Sequence, residues 1–179
     1  MMTPRLLLRE YKPEDFPFFR DVYMDEEVMR YAYMDAYKTE QEAREGFEKL
    51  LPGAAGEKSF YEWTIVEQAT GLYVGSAMME VQMKNQYGGF GELGYFLLKE
   101  FWGKGYATET ARALIALGFD QLGFHRVCAS CNAANNDSAH VLEKAGMRHE
   151  GVLRAVRCKN GLWQDEIRYS ILAEEWEKA

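Results

Sequence analysis

Two glycines one residue apart, in Trp102-Gly103-Lys104-Gly105-Tyr106-Ala107, join an apolar run to a segment of helical period. Such a loop can hold an anion. Glycine lets the backbone approach a ligand with no Cβ in the way. The helix that follows presents N–H groups without intrahelical partners and the positive end of its dipole, which suits phosphate or pyrophosphate. A plain glycine turn has the same spacing, so the loop alone leaves both readings open. A P-loop needs Gly-Lys-Ser/Thr, which Gly103-Lys104-Gly105 does not supply. A dinucleotide fingerprint needs a third glycine where Thr108 stands and an acid ending the next strand, which here ends in Cys131-Asn132.

Other reactive side chains form no comparable constellation. Cys128 and Cys131 are three apart on an alternating strand and so point to opposite faces. No second pair or histidine spacing completes a zinc site, and no metal is expected. His125, His140 and His149 follow no ligand spacing, and no Gly-x-Ser-x-Gly elbow exists for a hydrolase.

The elements that must position the glycine loop follow from periodicity. Arg5–Arg9 reads as a first strand, and Pro13-Glu14-Asp15 opens a helix carrying Phe16, Phe19, Val22 and Tyr23. Asp25-Glu26-Glu27 starts a short helical segment. Thr39-Glu40-Gln41-Glu42 resembles a capping box for another helix, ending near Leu50-Leu51-Pro52-Gly53. The period then becomes alternating: Tyr61, Trp63 and Ile65 share a strand face, Ala69-Thr70-Gly71 turns, and Leu72 to about Met83 returns. Lys84–Gly89 reads as a polar loop and Phe90–Leu98 as the strand feeding the glycine loop. A helix with Ala107, Ala111, Leu114, Ile115 and Leu122 on one face stops at Gly123. His125–Cys131 is a strand, and Asn136 or Asp137 caps a short helix ending at Gly146. Val152–Cys158 and Leu162–Leu172 form a hairpin about Asn160-Gly161. The order is that of a mixed α/β-layered, α+β domain spanning 1–179.

Composition bounds the function. With 47% hydrophobic residues the 179-residue chain can bury a core. A net charge of −7 with no basic stripe argues against nucleic acid. Such a surface attracts cations, amines included, or simply aids solubility. No apolar run reaches the ~18–20 residues of a membrane helix. The first residues lack a signal peptide's apolar core and cleavage site. Three cysteines make no disulfide framework, so a reducing, cytoplasmic setting is expected.

The run from Gly91-Glu92-Leu93-Gly94-Tyr95 through Trp102-Gly103-Lys104-Gly105-Tyr106-Ala107-Thr108-Glu109 resembles the acetyl-CoA motif of the GNAT N-acetyltransferases. Asn135-Asn136-Asp137-Ser138, Leu142-Glu143-Lys144-Ala145-Gly146-Met147 and Glu150-Gly151 continue it. Leu6-Leu7-Leu8-Arg9 and Tyr169-Ser170-Ile171-Leu172 with Glu175-Trp176 also match, so the likeness covers nearly the whole chain. It is nearest to the branch of ribosomal-protein N-terminal alanine and serine acetyltransferases.

The resemblance implies a bent mixed sheet whose fourth and fifth strands splay, with helices on both sides and acetyl-CoA in the gap. Trp102, Gly103, Lys104, Gly105, Tyr106, Ala107 and Thr108 would hold the pyrophosphate. Tyr95, Phe96 and Leu97 would pair with the pantetheine arm, and Asn135 and Ser138 would contact it. Leu142 stands where many members carry a tyrosine that protonates the departing thiolate, which makes Ser138 the nearest candidate. Glu92 would be the general base, its pKa raised by burial, with Glu80 its rival. A backbone N–H near Phe96 or Leu97 would stabilise the thioester oxygen, and acetyl would pass directly to a primary amine, on a protein N-terminus or a small molecule. A non-catalytic acyl-CoA-binding module is the alternative that Leu142 leaves open. The first helices line the acceptor side in this family, so Asp21, Asp25, Glu26, Glu27 and Asp35 could draw a cationic amine, with Tyr31, Tyr33 and Tyr37 beside it. Lys144 and His149 could lie near phosphates. Trp163 and Tyr169, expected to be exposed, could serve a homodimer interface or the acceptor pocket.

Overall fold

Leu6 and Leu8 are fully buried while Leu7 and Arg9 are not, the period-two pattern that fixes β1 (Leu6–Arg9) on the sheet. The structure, a computed structural model, describes residues 1–51 and 59–176. β1 is followed by a 3₁₀ turn at Pro13–Asp15, α1 (Phe16–Tyr23), a second 3₁₀ turn at Val28–Tyr31 and α2 (Glu40–Glu48). Three strands come next, β2 (Phe60–Glu67), β3 (Tyr73–Asn85) and β4 (Gly88–Leu97), and then α3 (Tyr106–Ala116). β5 (Arg126–Asn132), α4 (Asn136–Lys144), β6 (Arg148–Lys159), β7 (Leu162–Leu172) and a short α5 (Ala173–Trp176) follow among the described residues. The strands make one seven-stranded sheet in the order β1-β2-β3-β4-β5-β7-β6. β4 and β5 pair parallel, and the other neighbours pair antiparallel. This is the mixed, helix-flanked α+β sheet that the sequence leads one to expect.

Two apolar layers clothe the sheet. Neighbouring residues of β4 divide between them: Leu97 joins Leu93, Leu114, Ile115, Val127, Leu142 and Ile171, whereas Phe96 packs with Tyr11, Phe19, Val22, Tyr23 and Phe47. The first layer lies under α3 and α4, the second under α1 and α2. Each fully buried aliphatic side chain stabilises the fold by roughly 1.5–3 kcal/mol. Thr39 caps α2, its hydroxyl accepting from the Glu42 N–H at 3.2 Å. Pro52 and Gly53, expected near that helix's end, lie outside the described residues.

Several boundaries differ from expectation. Lys84–Gly89 is not a loop: β3 runs to Asn85 and β4 starts at Gly88, with Met83 opposite Phe90. Residues 82–87 are exposed, so no apolar alternation marks the strand there. β6 begins at Arg148, four residues before Val152, because an edge strand exposed on both faces carries no period-two signal. The cap of α4 is Asn135, whose side-chain oxygen accepts from the Ser138 N–H at 3.1 Å. Tyr169 is only 2% exposed, with its hydroxyl donating to Glu143, so it offers no surface to a partner; Trp163 is 67% exposed.

Candidate active site

Parallel pairing between β4 and β5 runs over Phe90–Leu93 and Arg126–Ala129 and then stops. Beyond it the twist of the sheet carries Gly94–Leu97 and Ser130–Asn132 apart. A cleft of about 940 Å³ opens between them. Backbone groups along this stretch have no partner on the facing strand, and those not engaged elsewhere can bond a ligand lying along the gap as an added strand would.

The glycine loop closes one end of the cleft. Gly103 and Gly105 have φ of +72° and +80°, a left-handed conformation that explains both glycines. A Cβ on Gly105 would meet only the tip of Arg5 at 3.4 Å, so conformation rather than crowding makes the demand. Gly105 is the N-cap of α3 without a side-chain cap, leaving the first-turn N–H groups open. The loop is braced from behind. Arg5 donates to the Lys104 carbonyl at 2.9 Å and to Glu109 at 2.7 Å, with its guanidinium over the Tyr106 ring. The Trp102 indole N–H donates to the Leu97 carbonyl at 2.8 Å, folding the ring across the open end of β4.

Of the residues named from sequence for the cofactor, Tyr95, Phe96, Leu97, Trp102, Gly103, Gly105, Tyr106, Ala107, Thr108, Asn135 and Ser138 line the cleft. Lys104 does not line it, and its ammonium lies over the Phe101 ring instead. Lys144 lines the cleft; His149 is not among the lining residues and packs edge-on against Tyr169. Leu142 is 1% exposed and brings no hydroxyl. Two hydroxyls that line the cleft form a pair, Tyr95 Oη and Ser138 Oγ, 3.1 Å apart. Burial pushes the Tyr95 phenol well above its ordinary pKa, so it stays protonated and able to donate.

The other half of the cleft faces the second 3₁₀ turn, whose Val28, Arg30 and Tyr31 line it. Its floor carries Glu92 with Glu80 directly opposite it in register on β3. Glu92 is not the isolated buried carboxylate expected from sequence. Its side chain is 22% exposed, accepts from Ser130 Oγ at 2.5 Å and lies 3.4 Å from the Arg168 guanidinium. Arg168 Nε in turn lies 2.6 Å from Glu166, an ion pair without the alignment of a hydrogen bond. Glu166 is fully buried; it accepts from Arg157 at 2.5 Å and from the Tyr33 hydroxyl. Tyr33 belongs to the segment after the second 3₁₀ turn, which the far hairpin clasps. Lys159 donates to the carbonyls of Met29, Ala32 and Met34, and Arg157 donates to that of Tyr31. Tyr31, Tyr33, Phe60, Met78 and Phe96 give this half an apolar wall.

The acidic stretch near α1 is mostly engaged elsewhere. Asp21 pairs with Arg20, Glu26 with Lys38, and Asp25 and Glu27 with Lys99; only Glu27 of the stretch reaches the cleft. Tyr37 packs against Phe19 and Tyr23 instead. Ser130, Arg157, Glu166 and Arg168 were not identifiable as site residues before the strands were paired. The register Ser130–Arg168 and Asn132–Glu166 is what aligns them on one face. Cys131 lines the gap, and burial pushes its thiol up to about 11. Among the described residues no cluster suits a metal ion, and no helix is long and apolar enough to cross a membrane.

The family model for the acetyltransferase (GNAT) domain matches residues 5–148. The uncharacterized N-acetyltransferase YnaD of Bacillus subtilis (strain 168) is 32% identical over 178 residues, covering 97% of each chain. The putative ribosomal N-acetyltransferase YdaF of the same organism is 37% identical over 108 residues, 59% of each chain. A crystal structure of a GNAT-family acetyltransferase from Bacillus anthracis matches with a TM-score of 0.83 at 28% identity, covering 97% of this chain and 98% of that one.

Proposed function

Because this chain belongs to the GNAT family, and so is an acetyl-CoA-dependent N-acetyltransferase, we propose that its acceptor is a primary amine carried on an apolar or aromatic body. The observation that carries this reading is the acceptor half of the cleft, where Tyr31, Tyr33, Phe60, Met78 and Phe96 surround a floor bearing Glu92. An apolar wall with a few converging polar groups is the usual form of a small-molecule site.

The groups on the other side fit acetyl-CoA. Open N–H groups at Gly105 and the first turn of α3 suit its pyrophosphate, and the unpaired edge at Tyr95–Leu97 suits its amide-bearing arm. Bound there, it supplies the activated acetyl group. Glu92 takes a proton from the acceptor ammonium, since only the neutral amine is nucleophilic. A backbone N–H near Phe96 or Leu97 stabilises the carbonyl oxygen as it gains charge. The Tyr95–Ser138 hydroxyl pair offers a proton to the leaving sulfur. A covalent acyl-enzyme is disfavoured, because Cys131, the thiol in the gap, is held protonated by burial.

A second reading, an α-amine at a protein N-terminus as in ribosomal-protein acetyltransferases, is favoured by the likeness to YdaF. Thiol release from acetyl-CoA, measured with phenethylamine and with peptides beginning in alanine or serine, separates the two. The small amine should give the higher kcat/KM. The reverse ranking would overturn the proposal in favour of the second reading.

A further inference from the structure

Glu92, Ser130 and Tyr33 come from β4, β5 and the segment clasped by the far hairpin, and all three line the acceptor half of the cleft. Ser130 Oγ lies 2.5 Å from a Glu92 oxygen and 3.2 Å from Tyr33 Oη. Each hydroxyl owns one proton. A carboxylate can only accept, and hydrogen bonds to an ionised acceptor are the stronger ones. The Ser130 proton therefore goes to Glu92 and the Tyr33 proton to Glu166. The contact between the two hydroxyl oxygens is left with no proton of its own.

Glu166 holds this assignment in place. It is fully buried and fixed by Arg157 from β6 and Arg168 from β7, while Arg157 also lies 3.5 Å over the Tyr33 ring. Burial and the bond to Glu166 both raise the Tyr33 pKa, so the phenol keeps its proton. What Glu92, Ser130 and Tyr33 themselves turn to the cleft is one carboxylate and two hydroxyl oxygens, with lone pairs to offer and no hydrogen.

We infer that Glu92, Ser130 and Tyr33 form an acceptor-only cluster that recognises the N–H bonds of the substrate's reacting nitrogen and selects primary over secondary amines. A neutral primary amine carries two N–H bonds, which two of the three oxygens can hold while its lone pair stays free. A secondary amine has one N–H and leaves an oxygen unsatisfied, and an alcohol likewise brings only one hydrogen. A site built to bond a donor rejects the analogue that lacks it. This inference rests on the reading of the cleft as an amine-acceptor site.

Phenethylamine and N-methylphenethylamine, each assayed by thiol release at saturating acetyl-CoA, are the probes for wild type, Tyr33→Phe and Ser130→Ala. Tyr33→Phe keeps the ring over Arg157, and an unaltered thermal shift on adding acetyl-CoA certifies that each variant is folded. Wild type should favour the primary amine by about tenfold or more, the scale of one lost hydrogen bond to a charged cluster. In each variant KM for phenethylamine should rise about tenfold while that for the N-methyl amine barely moves, so that discrimination collapses. A merely structural role would weaken both amines alike, and that result, or an unchanged preference, overturns the cluster alone. No thiol release from phenethylamine by the wild type would overturn the amine reading beneath it.

Discussion

Replacing Glu92 by glutamine removes a base and almost nothing else. The amide keeps the side chain's length and can still accept from Ser130, now 2.5 Å from the carboxylate. What the fold loses is the 3.4 Å pairing with Arg168, between side chains 22% and 34% exposed. Pairs that solvent reaches contribute at most about 1 kcal/mol. For a chain of this size that lowers the melting temperature by about 2–4 °C. Loss of a general base costs about 10²–10⁴ in turnover, or roughly 2.7–5.4 kcal/mol of transition-state stabilisation. The kinetic effect thus exceeds the largest stability effect severalfold, so partial unfolding cannot mimic it. The assay is thiol release with phenethylamine across pH, beside a thermal melt with and without acetyl-CoA. Glu80→Gln is the control: Glu80 is exposed and sits directly opposite Glu92. Removing that like charge should leave stability equal or slightly higher. A fall of less than about threefold in Glu92→Gln, or an equal loss in Glu80→Gln, refutes the assignment.

Two further outcomes test the parts around this site. Gly105→Ala forces a side chain into a left-handed conformation (φ +80°), which should cost about 1–2 kcal/mol of stability. It should also shrink the thermal stabilisation by acetyl-CoA, about 2.7 kcal/mol at a hundred times the dissociation constant for an intact site; an undiminished ligand shift would reduce the loop to a turn. Glu62 on β2 is half-buried and pairs with no cation among the described residues, accepting from Tyr23 at 2.5 Å, Ser76 at 2.7 Å and Tyr11 at 3.3 Å. Burial raises its pKa in spite of these bonds, so above the ordinary carboxylate range the folded state binds more protons than the unfolded one, and stability falls as pH rises. Glu62→Gln should therefore narrow or reverse the melting-temperature difference from wild type between pH 5 and pH 8, and parallel pH dependences in the two proteins would contradict the burial argument.

Much of the fold and half of the site can be read without coordinates, because the features involved are local. Alternation in β1, the Thr39 cap and the positive-φ pair Asn160-Gly161 each depend on residues within a turn or two of one another. The same holds for Gly103 and Gly105: their left-handed backbone is a property of the residue type, and the helix start they precede follows from its own period. Exposed stretches escape this reading. Residues 82–87 and the first turn of β6 carry no apolar pattern, since neither face of the strand there is driven out of water. The acceptor side belongs almost wholly to the tertiary structure. Glu92 gives no sign in the sequence that it will be tied to Ser130 and Arg168. Nor does Glu166 show that it will lie fully buried between two arginines and a tyrosine more than a hundred residues away. Those partners meet only once β4, β5 and β7 settle into one register and the segment through Tyr33 is drawn across them. Hydrophobic burial sets that register, and burial carries no information about which polar side chains will share the other face.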